Sequence, residues 1–237
     1  MKFDNEISSK FLLSTRVHER IMDLREKGEW TPWKAQMARA NIPPEFWDLE
    51  LDYLARKSTE SSQRLAIRLV KKYIRKIDIV RKYGFGFLFL GSCGVGKTSL
   101  QMAILKAALK RNYSAYFITL PNIFRQIYMG FKFPNVLSEL QDILYKTDFL
   151  AIGELGKDYH REGASLFAIS EFDTIFRERR QNCLPTSLDS NLTETEVLNI
   201  YGDSIVSLFA SRLKKLKITG RDYRKDQQQK EFDRFIG

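Results

Sequence analysis

Gly91-Ser92-Cys93-Gly94-Val95-Gly96-Lys97-Thr98 is the stretch that decides the fold, because every fixed position of a phosphate-binding loop is filled in order. Glycines let the backbone curl until its N–H groups point at phosphate oxygens. Lys97 brings charge to the β- and γ-phosphates, and the Thr98 hydroxyl is a ligand for Mg²⁺. Working outward, Phe85-Gly86-Phe87-Leu88-Phe89-Leu90 reads as a buried strand, and Thr98 to Lys110 has helical spacing. Strand, glycine loop and helix N-terminus form the setting in which an anion is held by oriented amides. Residues Gly91 to Thr98, with Ser99 behind them, are therefore expected to bind ATP with Mg²⁺. Lys97 is expected to stand as an exposed charge awaiting phosphate.

Beyond the loop, apolar strand-length runs alternate with helical ones. Strands are predicted at 113–120, 149–152, 184–189 and 216–219, and helices at 122–129, 136–146, 164–180, 194–200 and 205–214. This alternation implies an α/β fold with a parallel sheet flanked by helices on both faces. Upstream, residues 6–27 read as an amphipathic helix carrying Ile7, Phe11, Leu13, Val17, Ile21 and Leu24, stopped at Gly28. Thr31-Pro32 reads as an N-cap and first helical position. Asn41-Ile42-Pro43-Pro44 then breaks the chain, so residues 1–41 are expected to form a small helical domain. Residues 42–84 follow as a linker and basic helix, the latter spanning 58–83 and closed at Gly84. The ATPase core is expected over 85–220 and a polar tail over 221–237.

The chain has 237 residues, is 43% hydrophobic and carries a net charge of +10. The charge is uneven: residues 61–90 hold 8 basic groups and only Asp78, whereas residues 1–60 nearly balance. Such an excess suits a nucleic acid or another polyanion, the plainer alternative being a solvated helix face beside the phosphates. No apolar run reaches membrane-spanning length, and Met1 to Glu6 lacks a signal peptide's apolar block. Two cysteines, Cys93 and Cys183, form no disulfide framework, so a reducing cytoplasm is expected. With His18 and His160 they give no metal-site spacing beyond the nucleotide's own Mg²⁺.

A loop of this kind needs a carboxylate at the end of a neighbouring strand. Phe149-Leu150-Ala151-Ile152-Gly153-Glu154 is the suitable place, but Gly153 stands where an aspartate is expected and only Glu154 remains. Mg²⁺ would then rest on Thr98, phosphates and water, and an aspartate restored at 153 is expected to speed hydrolysis. At the next strand end, Asn191 is placed to touch the γ-phosphate or the attacking water, or to serve only as a turn residue. Arg212, before the last strand, could stabilise transition-state charge on a neighbouring subunit's nucleotide, with Arg179 and Arg180 as further candidates. Tyr128-Met129-Gly130-Phe131-Lys132-Phe133 interleaves aromatics with a lysine, suiting base stacking unless Phe131 and Phe133 are core. Trp30 and Trp33 suit either a protein partner or a small core.

Taken together, Gly91–Thr98, Phe149–Gly156, Pro185 with Ser190-Asn191-Leu192, Ser211-Arg212-Leu213 and Gly220-Arg221-Asp222-Tyr223-Arg224 resemble the DnaC/DnaI helicase loaders and the related IstB-type transposition ATPases. The resemblance covers about residues 42 to 224. It implies an AAA+ core with a five-stranded sheet, ATP-dependent self-assembly into an open ring or helical oligomer, and single-stranded DNA in its channel. An N-terminal domain gripping a replicative helicase is also implied. By the same resemblance Lys97 and Thr98 serve phosphate and Mg²⁺, Glu154 is the catalytic acid, Asn191 the first sensor and Arg212 the arginine finger. The departure at Gly153 leaves open a hydrolysis-impaired, nucleotide-gated binding module. A DNA-coating helper that recruits a transposase is the other alternative.

Overall fold

The computed structural model describes residues 15–157 and 165–223; the predicted helix before Thr15, His160 and the polar tail from Arg224 lie outside the described residues. Five strands, β1 (Gly86–Leu90), β2 (Ala115–Thr119), β3 (Phe149–Leu155), β4 (Thr186–Ser190) and β5 (Leu213–Lys217), form one sheet. Its order is β2-β3-β4-β1-β5, and every pairing is parallel. Parallel strands require crossovers, and the helices that supply them cover both faces.

One face carries Phe87, Phe89, Phe117, Phe149, Ala151 and Leu216. It packs against α1 (Thr15–Glu26), α2 (Pro32–Arg39), α4 (Ser61–Arg75), α5 (Ile77–Tyr83) and α6 (Lys97–Lys110). The other carries Leu88, Leu90, Tyr116, Ile118, Leu150, Ile152 and Leu188. It packs against α7 (Leu120–Gly130), α8 (Pro134–Lys146), α9 (Ser165–Gln181) and α10 (Glu194–Arg212). Alternation along each strand sends successive side chains to opposite faces, which is why the runs of β1, β2 and β3, covered on both, are mostly apolar, whereas the edge strand β5 (Leu-Lys-Lys-Leu-Lys) exposes its lysines.

At the N-terminal side, Thr31 caps α2 by accepting from Lys34 N, with Pro32 at the first helical position, as the sequence predicts. Ile21 and Leu24 of α1 and Met37 and Ala38 of α2 are buried in the same cluster as the sheet residues Phe87 and Phe117. Trp30 and Trp33 are half-buried against that cluster. The connection at Asn41 lies along the β2 edge: Phe117 N donates to Ala40 O at 2.9 Å, and Asn41 Nδ2 donates to Phe117 O at 2.9 Å. Lys106 on α6 donates to Phe46 O and Trp47 O, binding the next turn to the core.

Three expectations are corrected. The single helix over 58–83 is two helices: α4 opens at Glu60 with a capping box to Gln63, and the chain turns at Lys76 (φ −112°, ψ 28°) before α5. A short helix, α3 (Leu51–Lys57), occupies residues expected to be linker. The last strand starts at Leu213, three residues before the predicted 216, so the helix before it ends at Arg212 and not at 214; the break expected between the helices 194–200 and 205–214 falls at Gly202 (φ 73°, ψ 167°). Among the described residues, no helix is long and apolar enough to cross a membrane.

Candidate nucleotide-binding site

The loop from Gly91 to Gly96 joins the C-terminal end of β1 to the N-terminus of α6, so the first amides of α6 face the loop's concavity. Gly94 and Gly96 take left-handed conformations (φ 74° and 98°), which glycine adopts without a Cβ penalty. A Cβ at Gly94 would lie 1.6 Å from Asp222 Oδ1, because the chain after β5 crosses the loop, where Tyr223 N donates to Gly94 O at 3.0 Å.

Lys97 is 6% exposed, not the free charge the sequence suggests. Its Nζ donates to Gly91 O at 2.7 Å, Ser92 O at 2.7 Å and Asn191 Oδ1 at 2.8 Å. Buried cations need such acceptors, and these three hold the amine across the mouth of the loop. Asn191 is thereby brought to the loop from the end of β4, which places the two predicted residues together.

Thr98 does not stand alone either. Its Oγ1 donates to Asp189 Oδ2 at 3.0 Å, and Asp189 Oδ1 accepts from Glu154 N at 2.9 Å. Asp189 is 5% exposed, and burial pushes its carboxyl above the ordinary aspartate range against the pull of the Glu154 amide, Thr98 and Lys97. The sequence reading missed Asp189, whose signal was an acid ending an otherwise buried strand run. A buried carboxylate therefore stands against Thr98 on β4, the strand next to Gly153.

Gly153 explains the geometry. A Cβ there would lie 3.1 Å from Phe117 Cε2 and 3.2 Å from Cζ, on the face that packs against α6. Immediately after it the β3–β4 register shifts between Ile152 and Leu155, and Glu154 has φ 60°. The bulge turns the Glu154 amide toward Asp189 and leaves the Glu154 side chain half-buried, with Oε1 accepting from Lys157 Nζ at 2.8 Å.

Beside the loop, an apolar cleft is lined by Leu54, Ile67, Val95, Leu100, Ile218 and Tyr223, together with Gln63. The Gln63 side chain accepts from Tyr223 Oη at 2.8 Å, while its buried Nε2 has no partner. No sequence motif announces this cleft, since it gathers residues from α3, α4, the loop, α6 and the chain after β5.

Arg212 sits at the start of β5, the opposite end of the sheet from the loop, with Nη1 donating to Tyr83 O at 2.7 Å. A five-residue strand separates it from its own loop by about 16 Å. Arg179 is corrected outright: it is 0% exposed, and its guanidinium donates to Thr186 Oγ1, Leu144 O, Asp148 O and Pro185 O. Deep burial lowers its pKa to about 9 and removes it from any subunit boundary. Arg180 is exposed and donates to Ser211 Oγ. Phe131 (72% exposed), Phe133 and Tyr128 are exposed at the α7–α8 tip, so the core alternative for the two phenylalanines is corrected too. On α4, Arg64, Arg68, Lys72 and Arg75 lie on the exposed side opposite buried Ala66, Ile67 and Val70.

The family described as IstB-like ATP binding protein matches residues 5–231. The crystal structure of the DnaC helicase loader is similar with a TM-score of 0.63 at 24% identity, over 74% of this chain and 99% of that one. The crystal structure of DnaI follows at 0.61 and 24%, over 76% and 93%. AMPPCP-bound DnaA from Aquifex aeolicus is similar at 0.60 and 20% identity, over 82% of this chain but 56% of that chain. At these identities the likeness is one of fold, the α/β core with its parallel sheet. No curated protein sequence matches.

Proposed function

Because the chain belongs to the IstB-like ATP-binding protein family, we propose that it is an ATPase that loads a replicative helicase onto single-stranded DNA, self-assembling through ATP held at subunit boundaries. The observation that carries the DNA part is the α7–α8 tip, where Tyr128, Phe131 and Phe133 are exposed around Lys132. Three exposed aromatics clustered at one tip, Phe131 being 72% exposed, offer a surface on which bases stack, at about 1–3 kcal/mol each. The exposed stripe of Arg64, Arg68, Lys72 and Arg75 adds charge for the phosphate backbone.

For the nucleotide, the amides of the loop and of the first turn of α6 receive the phosphates, and Lys97 exchanges its loop carbonyls for phosphate oxygens. The narrow cleft beside Val95 opens to take the base, with the unpartnered Gln63 Nε2 available to an acceptor on it. Thr98 is a hydroxyl donor to Mg²⁺, a hard cation that takes oxygen ligands, and the Asp189 carboxylate beside it makes a donor set that fits. Bound there, Mg²⁺ would neutralise charge on the phosphate oxygens. Glu154 then orients the attacking water, Asn191 reports on the γ-phosphate, and Arg212 reaches the nucleotide of the adjacent subunit. The residues before Ala40, with whatever precedes Thr15, grip the helicase.

Co-purification of this chain with the host's replicative helicase, with and without ATP and single-stranded DNA, tests the proposal; ATP-dependent capture of helicase is the expected result. The family's name favours one second reading, a transposition helper that coats duplex DNA. Capture of a transposase in place of helicase, with duplex preferred to single strand, would replace the first reading with it.

A further inference from the structure

We propose that Asp189, on β4, is the carboxylate that completes the Mg²⁺ shell of the bound nucleotide, a task moved by one strand from the end of β3. This inference rests on the reading that the loop binds Mg·ATP.

Three observations converge. The end of β3 carries no side chain at Gly153, and Phe117 crowds the space a Cβ would need there. Asp189 stands on the neighbouring strand, paired through β4 to Phe89 on β1, and therefore lies closer to the phosphate loop than residue 153 does. Its Oδ2 accepts from Thr98 Oγ1, the hydroxyl that the loop offers to a cation. Two hard oxygen donors on adjacent elements then face one point beside the loop.

The burial of Asp189 argues in the same direction. A carboxylate 5% exposed is costly unless compensated. Its partners are one hydroxyl and one amide, and among the described residues it makes no ion pair. A group kept only for strand packing would be less costly as serine or threonine, like its neighbours Ser187 and Ser190. An acid held there by Glu154 N, with Thr98 alongside, is arranged for a cation that arrives with its ligand. The β3 bulge serves this arrangement, because it is the φ 60° conformation of Glu154 that aims the amide at Asp189 Oδ1. The hydrogen bond that Glu154 N donates couples the carboxylate to the residue that orients water, so cation seating and water positioning share one corner.

The test is titration of a fluorescent ATP analogue into wild-type and Asp189→Asn full-length chain, in Mg²⁺ and in EDTA, with Mn²⁺ binding to each nucleotide complex followed by electron paramagnetic resonance. Asparagine keeps the acceptor for Glu154 N, so thermal melting in the absence of metal should be unchanged or raised; Asp189→Ser is measured alongside in case the amide misfolds. The expected result is equal affinity in EDTA, with the gain given by Mg²⁺ lost and Mn²⁺ affinity lowered about 10- to 100-fold. A Mg²⁺ gain and Mn²⁺ signal kept in a folded variant would overturn the role of Asp189 and leave nucleotide binding intact. A wild-type chain that binds no nucleotide in either condition would overturn the nucleotide reading, and this inference with it.

Discussion

Gly153→Asp, which restores the residue expected from sequence, is predicted to harm the protein. The new carboxylate would stand on β3 beside Asp189 on β4, and adjacent strands lie about 4.8 Å apart. Two unit charges at that separation repel by about 3.5 kcal/mol at an effective dielectric of about 20. The added Cβ must also displace the Phe117 ring, now 3.1 Å from its position. For a chain of this size, about 3.5 kcal/mol corresponds to a fall in melting temperature of roughly 7–14 °C. Calorimetry or circular dichroism in the absence of nucleotide reads it directly, and steady-state turnover at saturating Mg²⁺ and ATP is expected to stay level or fall. The double variant Gly153→Asp/Asp189→Asn removes one of the two charges. It should recover most of the loss, giving a coupling energy of about 3 kcal/mol between the sites. A single variant that melts within two or so degrees of wild type and turns over ATP faster would refute the reasoning, because the site would then be short of a carboxylate after all.

Other outcomes follow from geometry already given. The Phe131→Ala/Lys132→Ala double variant should weaken single-stranded DNA binding by about 10-fold or more with no change in melting temperature, since both side chains are outside the core; unchanged affinity by fluorescence anisotropy would remove the tip from the DNA path. Arg212→Ala should bind nucleotide nearly normally as a monomer yet lose ATP-driven assembly and hydrolysis, and mixing it with Lys97→Ala protein should restore some turnover. Full ATPase activity in Arg212→Ala, or a co-assembled mixture that stays inactive, counts against a role in trans. Burial opposes the charge on Asp148, but hydrogen bonds from Arg81 and Ser114 outweigh it and leave its pKa lowered. Its contribution is therefore complete above the ordinary aspartate range and is lost as pH falls below about 4. The difference in melting temperature between wild type and Asp148→Asn should be largest near neutrality and shrink below that pH.

Much of the fold is written locally. Phe85 to Leu90 and Phe149 to Ile152 are apolar runs bounded by glycine or polar residues, and both are strands because only a sheet covered on both faces tolerates them. One helix breaks where the sequence has no breaker: nothing in Ile74-Arg75-Lys76-Ile77 announces the turn at Lys76, which follows from packing α5 against the sheet, whereas α10 kinks at a glycine, Gly202. The site was legible in its loop and in Asn191, and illegible in Asp189. An acid at a strand end acquires meaning only from the strand order that sets β4 between β3 and β1, a relation between residues that lie far apart in the chain. The burial of Lys97 and Arg179 was hidden for the same reason, since long cationic side chains go inside only where carbonyls from several elements happen to meet.

The two margins of the sheet are treated differently, and this bears on how copies of the chain can come together. On β2 the main-chain groups of Phe117 are already taken by Ala40 and Asn41. On β5 the outward residues Lys214, Lys215 and Lys217 are exposed, and like charges repel a second copy of the same strand. Neither margin invites a continuous intermolecular sheet, whose many backbone bonds would release slowly. If copies of the chain assemble as proposed, their contacts would fall to side chains and to the phosphates of a nucleotide, a junction whose strength would change when one phosphate is cleaved. An assembly joined in that way would come apart one molecule at a time.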